Sequence, residues 1–308
     1  MKPKFSIIVP LYGSEENLPY TLPRLLKLAD ELIDYEIELL FVDDASPDQS
    51  AQLILAARQK DSRIKLVRLS KNFGSMLAIM AGVQYATGDC LGVIAADLQD
   101  PPELFKEMLL RWQTGDKVVL AVRSDREESV SQKLFAGFYY RLLAKFALPN
   151  YPRGGFDFVL FDRQVSSELL AAQEKNTNLM SLIYWLGHQR STIYYVRQKR
   201  QRGHSRWTLA KKLKLVVDSF VSFSYLPIRL ISIIGFVTAL LSFAYGLFVF
   251  IEALLGKIAV QGYSALMTVI TFLLGLIMVM LGIIGEYLWR VLDEVRSRPA
   301  YVVDQTYL

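Results

Sequence analysis

Thiols and imidazoles are scarce in this chain. Its 308 residues include one cysteine, Cys90, and two histidines, His188 and His204. A lone cysteine in an apolar run excludes a disulfide framework and a thiolate metal cluster. The histidines are too far apart in sequence to form a local zinc motif. No Gly-x-Gly-x-x-Gly and no phosphate-loop lysine motif occurs, which argues against dinucleotide oxidoreductases and phosphate-loop ATPases. The first apolar run, Phe5 to Val9, stops at Pro10 after five residues and is too short for a secretory signal. The hydrophilic part is therefore expected on the cytoplasmic side.

Apolar residues are plentiful. They make up 52% of the chain while charged residues make up 21%, and mean hydropathy is +0.26. That balance predicts a soluble domain joined to a few membrane spans. The net charge of +5 comes from basic residues concentrated between Arg190 and Lys214, immediately ahead of the hydrophobic segments. Anionic lipid head groups fit that placement better than nucleic acid does.

Over the first 125 residues the chain alternates short apolar runs with helical patterns. Strands are predicted at 5–9, 37–42, 64–69, 90–95 and 118–122, with helices from about Leu18 to Ile33 and from the Lys71–Ser75 stretch to Tyr85. This rhythm predicts a mostly parallel, doubly wound α/β sheet. Further strands are expected at 156–161 and 193–196. The helix at 129–148 mixes aromatics with Lys133, Arg141 and Lys145, which suits either a bilayer surface or core packing.

The remaining segments give a four-part division: a cytosolic domain over 1–207, an interfacial amphipathic helix over 208–227, two transmembrane helices within 228–289 and a cytosolic tail over 290–308. Ile228–Leu255 and Ala265–Ile284 each reach the roughly 20 residues that a span requires. Arg229 precedes the first span and Arg290, Arg296 and Arg298 follow the second, so both termini are expected on the cytoplasmic side.

Carboxylates stand where predicted strands end: Asp43 and Asp44 after the second, Asp97 after the fourth. Open α/β sheets bind ligands at that edge. A leaving diphosphate gains charge as its bond to a sugar breaks, and Mg²⁺ or Mn²⁺ with oxygen ligands stabilises it. Asp97 and Gln99, two apart on an extended segment, are expected to face the same side and share that cation.

Val9-Pro10-Leu11-Tyr12, Val42-Asp43-Asp44-Ala45-Ser46-Pro47-Asp48, Asn72-Phe73-Gly74, Gly88-Asp89 and Ala96-Asp97-Leu98-Gln99-Asp100-Pro101-Pro102-Glu103 occur in that order. In them the chain resembles a family 2 glycosyltransferase of GT-A fold, and more narrowly the polyprenyl-phosphate glycosyltransferases, which include the bactoprenol glucosyltransferases and dolichol-phosphate mannose synthase. Gly203-His204-Ser205-Arg206-Trp207 stands where that family usually shows Gly-Glu-Ser-Lys-Tyr. The resemblance implies inverting transfer of a sugar, glucose from UDP-glucose, to undecaprenyl phosphate at an inner or plasma membrane.

It also implies roles for particular residues. Pro10, Tyr12, Asp43 and Asp44 would surround the nucleoside, and Gly74 would lie at the donor. Asp97 and Gln99 would hold the metal. Arg123, with Lys133, Arg200, Ser205 and Arg206, would hold the donor diphosphate or the lipid phosphate, and Asp157 matches a catalytic position. Two departures stand out: Ala95 replaces a frequent aspartate, and Gly13-Ser14 replaces Asn-Glu, which leaves Glu15 or Glu16 for any acid contact. Ala95 keeps a second reading open, a catalytically silent membrane scaffold. The tail is expected to pack on a neighbouring subunit in a homo-oligomer, taken as a tetramer.

Overall fold

The computed structural model describes residues 2–125, 130–152, 155–172, 178–198, 209–224, 226–255 and 263–308. Four parallel strands form its centre: β1 (Lys4–Leu11), β2 (Glu36–Asp43), β3 (Ile64–Leu69) and β4 (Cys90–Val93). Strands β5 (Val118–Asp125), β6 (Phe158–Asp162), β7 (Arg190–Val196) and β8 (Val303–Tyr307) complete an eight-stranded sheet in the order β7-β5-β6-β4-β1-β2-β3-β8. The predicted rhythm is present, with two strands reversed. β6 runs antiparallel to both β4 and β5, and β8 runs antiparallel to β3.

Residues of the central strands are buried on both faces, which is why they read as unbroken apolar runs rather than as alternating ones. Phe5, Ile7, Leu39, Phe41 and Leu66 share one core with α1 (Leu18–Glu31), α2 (Ser50–Arg58) and α4 (Leu104–Gln113). Within it the rings of Phe5, Phe105 and Phe158 meet edge to face at 5.1 and 4.7 Å. On the opposite face α3 (Ser75–Tyr85) lies close against the sheet at Gly82, where an added Cβ would stand 3.2 Å from Val42 Cγ2. α6 (Arg163–Ala172) and α7 (Leu179–Trp185) follow β6, and α5 (Val130–Phe146) precedes it. In α5, Tyr139 and Leu143 are buried and the Tyr139 hydroxyl meets Ser219 Oγ at 2.8 Å, so part of this helix is core.

One buried charge away from the ligand edge is fully accounted for. Glu38 is 1% exposed. It accepts hydrogen bonds from Ser6 and from the amide and hydroxyl of Thr87, and lies 2.7 Å from Lys65 Nζ. Burial raises its pKa, but Lys65, Ser6 and Thr87 together hold it below the ordinary value.

The chain divides into two compact units, residues 1–219 with 299–308, and residues 220–298. Of the expected tail, residues 290–295 continue the helix Tyr263–Val295, whereas 299–308 belong to the unit that holds the sheet, where hydrogen bonding to the edge of β3 holds β8. Ser70 N donates to Val302 O at 2.9 Å, and Arg58 donates to Leu308 O at 2.7 Å. The helix predicted at 208–227 is α8 (Leu209–Phe223). The second unit holds α9 (Leu226–Leu254) and α10 (Tyr263–Val295), of 29 and 33 residues. At about 1.5 Å per residue both exceed a bilayer core of about 30 Å. They approach each other at Gly235, where a Cβ would stand 2.9 Å from Met280 Cε. Within α10, Phe272–Val295 is long and apolar enough by itself to cross a membrane.

Candidate active site

Because β6 runs backwards, its amino end lies on the same sheet edge as the carboxyl ends of β1 to β5 and β7. Pro10 to Tyr12, Asp43 and Asp44, the turn at 96–100, Arg123, Asp157 and the stretch 195–198 therefore come to one edge. These residues lie far apart in sequence, and the sheet alone assembles them.

At the β1–β2 end of this edge, most of the carboxylates are engaged by backbone amides. Asp43, fully buried, accepts from Ser46 N at 3.1 Å and lies 3.3 Å from Arg68 Nε. Asp44 accepts from Phe73 N at 2.7 Å and Gly74 N at 2.8 Å. Burial pushes the Asp44 carboxyl above its ordinary value, the two amides oppose this and Asp43 adds to it. Gly74, with φ of +96°, sits before the first turn of α3 in a conformation that side chains rarely adopt. Glu15 accepts from Gln49 N at 3.1 Å, and Asp48 accepts from Glu15 N at 3.1 Å, so the loops after β1 and β2 brace each other. Pro10 is half-buried and Tyr12 is exposed beside them. Asp44 and Glu15, both expected at the donor, also brace the loops at this edge.

The Asp97 segment differs from the extended one expected. β4 ends at Val93, residues 96–97 form a turn, and Leu98 has φ of +55°. Asp97 Oδ1 accepts from Gln99 N at 3.2 Å, the local bond through which aspartate stabilises such a turn. A left-handed residue other than glycine costs on the order of 1 kcal/mol or more and persists where surrounding structure imposes it. Here Thr21 Oγ1 donates to Ala96 O at 2.7 Å, and Gln99 Nε2 donates to Gln198 O at 3.3 Å. The second bond directs the amide nitrogen of Gln99 toward the protein, leaving its oxygen as the group that suits a hard cation. A carboxylate and an amide oxygen fit Mg²⁺ or Mn²⁺ when a diphosphate supplies further oxygens. Among the described residues no group of three or more acidic, histidine or cysteine side chains could hold a metal ion, so a cation at Asp97 and Gln99 would need further oxygens from a diphosphate.

Arg123 at the end of β5 pairs with Asp157, which immediately precedes β6. The arginine side chain is 7% exposed and the aspartate 54%. Burial lowers the Arg123 pKa, but Asp157, Tyr195 and Asp100 raise it by more, so the guanidinium stays charged. Lys133 lies in α5 with its side chain outside the described residues, as are Arg200, Ser205 and Arg206.

Three residues here were not singled out from sequence. Asp100, 1% exposed, accepts from the Tyr195 hydroxyl and lies 3.3 Å from Arg197 Nε. Burial drives the Asp100 carboxyl upward against Arg197, Tyr195 and Arg123. In sequence Asp100 falls within the Ala96–Glu103 motif that carries the resemblance, with no role of its own assigned. Its hydrogen-bond partner stands 95 residues away, so the motif does not show what it holds.

Residues 6–170 match the family model for glycosyl transferase family 2, and residues 226–291 match that of the GtrB C-terminal hairpin. An uncharacterized glycosyltransferase of Bacillus subtilis, YkcC, is 37% identical over 305 residues, covering 99% of this chain and 94% of the relative. A prophage-derived bactoprenol glucosyl transferase of Shigella flexneri is 33% identical over 305 residues, covering 99% of this chain and 98% of the relative. Among solved structures, a mannosyltransferase of Pyrobaculum calidifontis in complex with GDP-Man and Mn²⁺ superposes with a TM-score of 0.52 at 17% identity, over 72% of this chain and 64% of that one, a likeness of fold. The match over more than half of the chain and the relatives above 30% identity over nearly all of it agree with the fold and the acidic edge: the chain belongs to glycosyl transferase family 2.

Proposed function

We propose that this protein moves glucose from UDP-glucose to undecaprenyl phosphate at the cytoplasmic face of a membrane that α9 and α10 cross as a two-span hairpin, working as a homo-oligomer. The observation that carries the reading is the buried Arg123 paired with the more exposed Asp157 on the same sheet edge as Asp97 and Gln99. The relative's name, bactoprenol glucosyl transferase, supports both the sugar and the acceptor. Asp97 and Gln99 would hold Mg²⁺ or Mn²⁺, which when bound supplies positive charge to the departing diphosphate; Mn²⁺ accompanies GDP-Man in the mannosyltransferase of similar fold.

The reaction joins a phosphate oxygen of the lipid to the anomeric carbon as the bond from that carbon to the UDP oxygen breaks, its electron pair leaving with UDP. A phosphate monoester has a second pKa of about 6 and is largely dianionic at neutral pH. The acceptor is then nucleophilic without a base. Asp157, with one oxygen engaged by Arg123, orients the sugar or the phosphate, and the fixed guanidinium offers charge-assisted donors to a phosphate. By the resemblance, Arg200, Ser205 and Arg206, which follow β7 in sequence, would bind the donor diphosphate or the acceptor phosphate.

The test is transfer of radiolabelled sugar from a panel of nucleotide sugars into the lipid phase of membranes, with Mn²⁺ and with a chelator. Metal-dependent label from UDP-glucose in lipid is expected; no transfer from any donor would leave only the silent scaffold. In the same assay the rate of the wild type and of Asp157→Asn is followed against pH. A limb near pH 6 that moves with the acceptor phosphate and persists in the variant is expected, whereas one lost with Asp157 makes it the base.

A further inference from the structure

The turn at 96–100 and the end of β7 are fastened together at four points. The Tyr195 hydroxyl donates to Asp100, and Arg197 Nε stands 3.3 Å from Asp100 Oδ1. Gln198 N donates to Gln99 O at 2.9 Å, and Gln99 Nε2 donates to Gln198 O at 3.3 Å. The turn carries Asp97 and Gln99, the donor-side oxygens. The other partner leads directly into the segment that contains Arg200, Ser205 and Arg206. A single cross-link therefore joins the donor turn to the root of the acceptor segment.

Asp100 is the centre of that cross-link. Burying a carboxylate is costly unless charged or hydrogen-bonding partners compensate. Asp100 is 1% exposed, and its Oδ2 has no hydrogen-bond partner among the described residues. A turn before two prolines does not call for a buried charge. Tyr195 of β7 and Arg197 just after it do converge on this one, and β7 lies beside β5, where Ser124 Oγ donates to Tyr195 O at 3.1 Å, next to Arg123. Asp100 thus ties the donor turn to the end of β7, in the neighbourhood of the Arg123–Asp157 pair.

We propose that Asp100 is a positioning residue for glycosyl transfer, acting through Tyr195 and Arg197 to set the register between the donor turn and the end of β7, beside the Arg123–Asp157 pair. It touches neither substrate. This inference rests on the polyprenyl-phosphate glycosyltransferase reading and adds a residue to it. A rigid register matters because a misplacement of about 1 Å between reacting groups can cost on the order of 100-fold in rate.

The experiment uses the full chain in detergent with UDP-glucose, Mn²⁺ and undecaprenyl phosphate. Steady-state transfer is measured alongside calorimetric binding of UDP with Mn²⁺ for the wild type, Asp100→Asn, Tyr195→Phe and the double variant. Asp100→Asn is expected to lower kcat about 10- to 100-fold while UDP affinity stays within about threefold, because the bonds from Gln198 to Gln99 still hold the donor turn. Tyr195→Phe shifts kcat in the same direction by less. The double variant falls no more than about twofold below Asp100→Asn alone, as expected for groups in one network. The inference is overturned by transfer within about twofold of wild type in Asp100→Asn, by UDP affinity falling as far as kcat, or by losses that multiply in the double variant. If Asp100→Asn does not accumulate as folded protein, Tyr195→Phe decides by the same two readouts. Absence of transfer by the wild type rejects the glycosyl-transfer reading itself and the inference with it; wild-type transfer with an unaltered Asp100→Asn rejects the inference alone.

Discussion

The two halves of the ligand edge use their carboxylates differently. On the β1–β2–β3 side, Asp44, Asp48 and Glu15 each accept from backbone amides, and Asp43 accepts from Ser46 N as well as pairing with Arg68. On the β5–β6–β7 side, Asp157 and Asp100 are held by Arg123, Tyr195 and Arg197, which are side chains. Backbone amides cannot turn away without unmaking a loop, so acids bonded to them give the pocket its shape. Side-chain partners carry charge and donors of their own, so the Arg123–Asp157 pair is where chemistry is expected, with Asp100, Tyr195 and Arg197 bracing it.

Removing a side-chain partner puts that contrast to its most severe test. Arg123→Ala is expected to reduce transfer about 100- to 1,000-fold, the range for losing one preorganised charge donor. Retained activity in a lipid-extraction assay removes Arg123 from the site. A backbone-bonded acid is expected to report in stability first. Asp44→Ala leaves the amides of Phe73 and Gly74 without their acceptor and is expected to cost about 2–3 kcal/mol in denaturant unfolding of the soluble unit. A large loss of kcat at unchanged stability would dissolve the distinction between the halves.

Glu38 supplies a control far from ligand. Its folded pKa lies below the unfolded value of about 4.3. Its contribution is therefore present above that pH and is lost as pH falls through the lower folded value. Glu38→Gln is expected to cost about 2 kcal/mol at neutral pH and to flatten the acid limb of stability. An acid limb identical to wild type, read by thermal melts across pH, contradicts the assignment. The smallest effect is expected from deleting residues 302–308, which uncovers the edge of β3. Stability should fall by about 1–2 kcal/mol and kcat should hold within about threefold, since β8 is far along the sheet from β5 and β6. A collapse of activity would instead tie the tail to the donor site through Arg68, which pairs with Gln305 in register.

Much of the fold was legible in the chain. β3 runs from Ile64 to Leu69 as expected, and the other predicted strands through residue 125 differ only at their ends, because apolar runs bounded by turn residues mark buried parallel strands well. β8 was not legible: Val303-Asp304-Gln305-Thr306-Tyr307 is largely exposed and so has no apolar period to read. The turned backbone of Asp97-Leu98-Gln99 was missed because nothing local forces Leu98 to positive φ. Asp97, Gln99, Arg123 and Asp157 could be named from motif resemblance, but not that the last two meet.

By itself, then, the sequence determined which segments become strands, that acids and a metal-suited amide stand at their ends, and that two apolar helices follow. Tertiary structure alone decided that β6 runs backwards and delivers Asp157 to Arg123, that Asp44 accepts from the amides before α3, and that Asp100 is buried against Tyr195. The physical reason is the range of the interactions. Periodicity and turn chemistry act over a few neighbouring residues, whereas a carboxylate's partner is set by strand order, and strand order brings together residues that the chain keeps far apart.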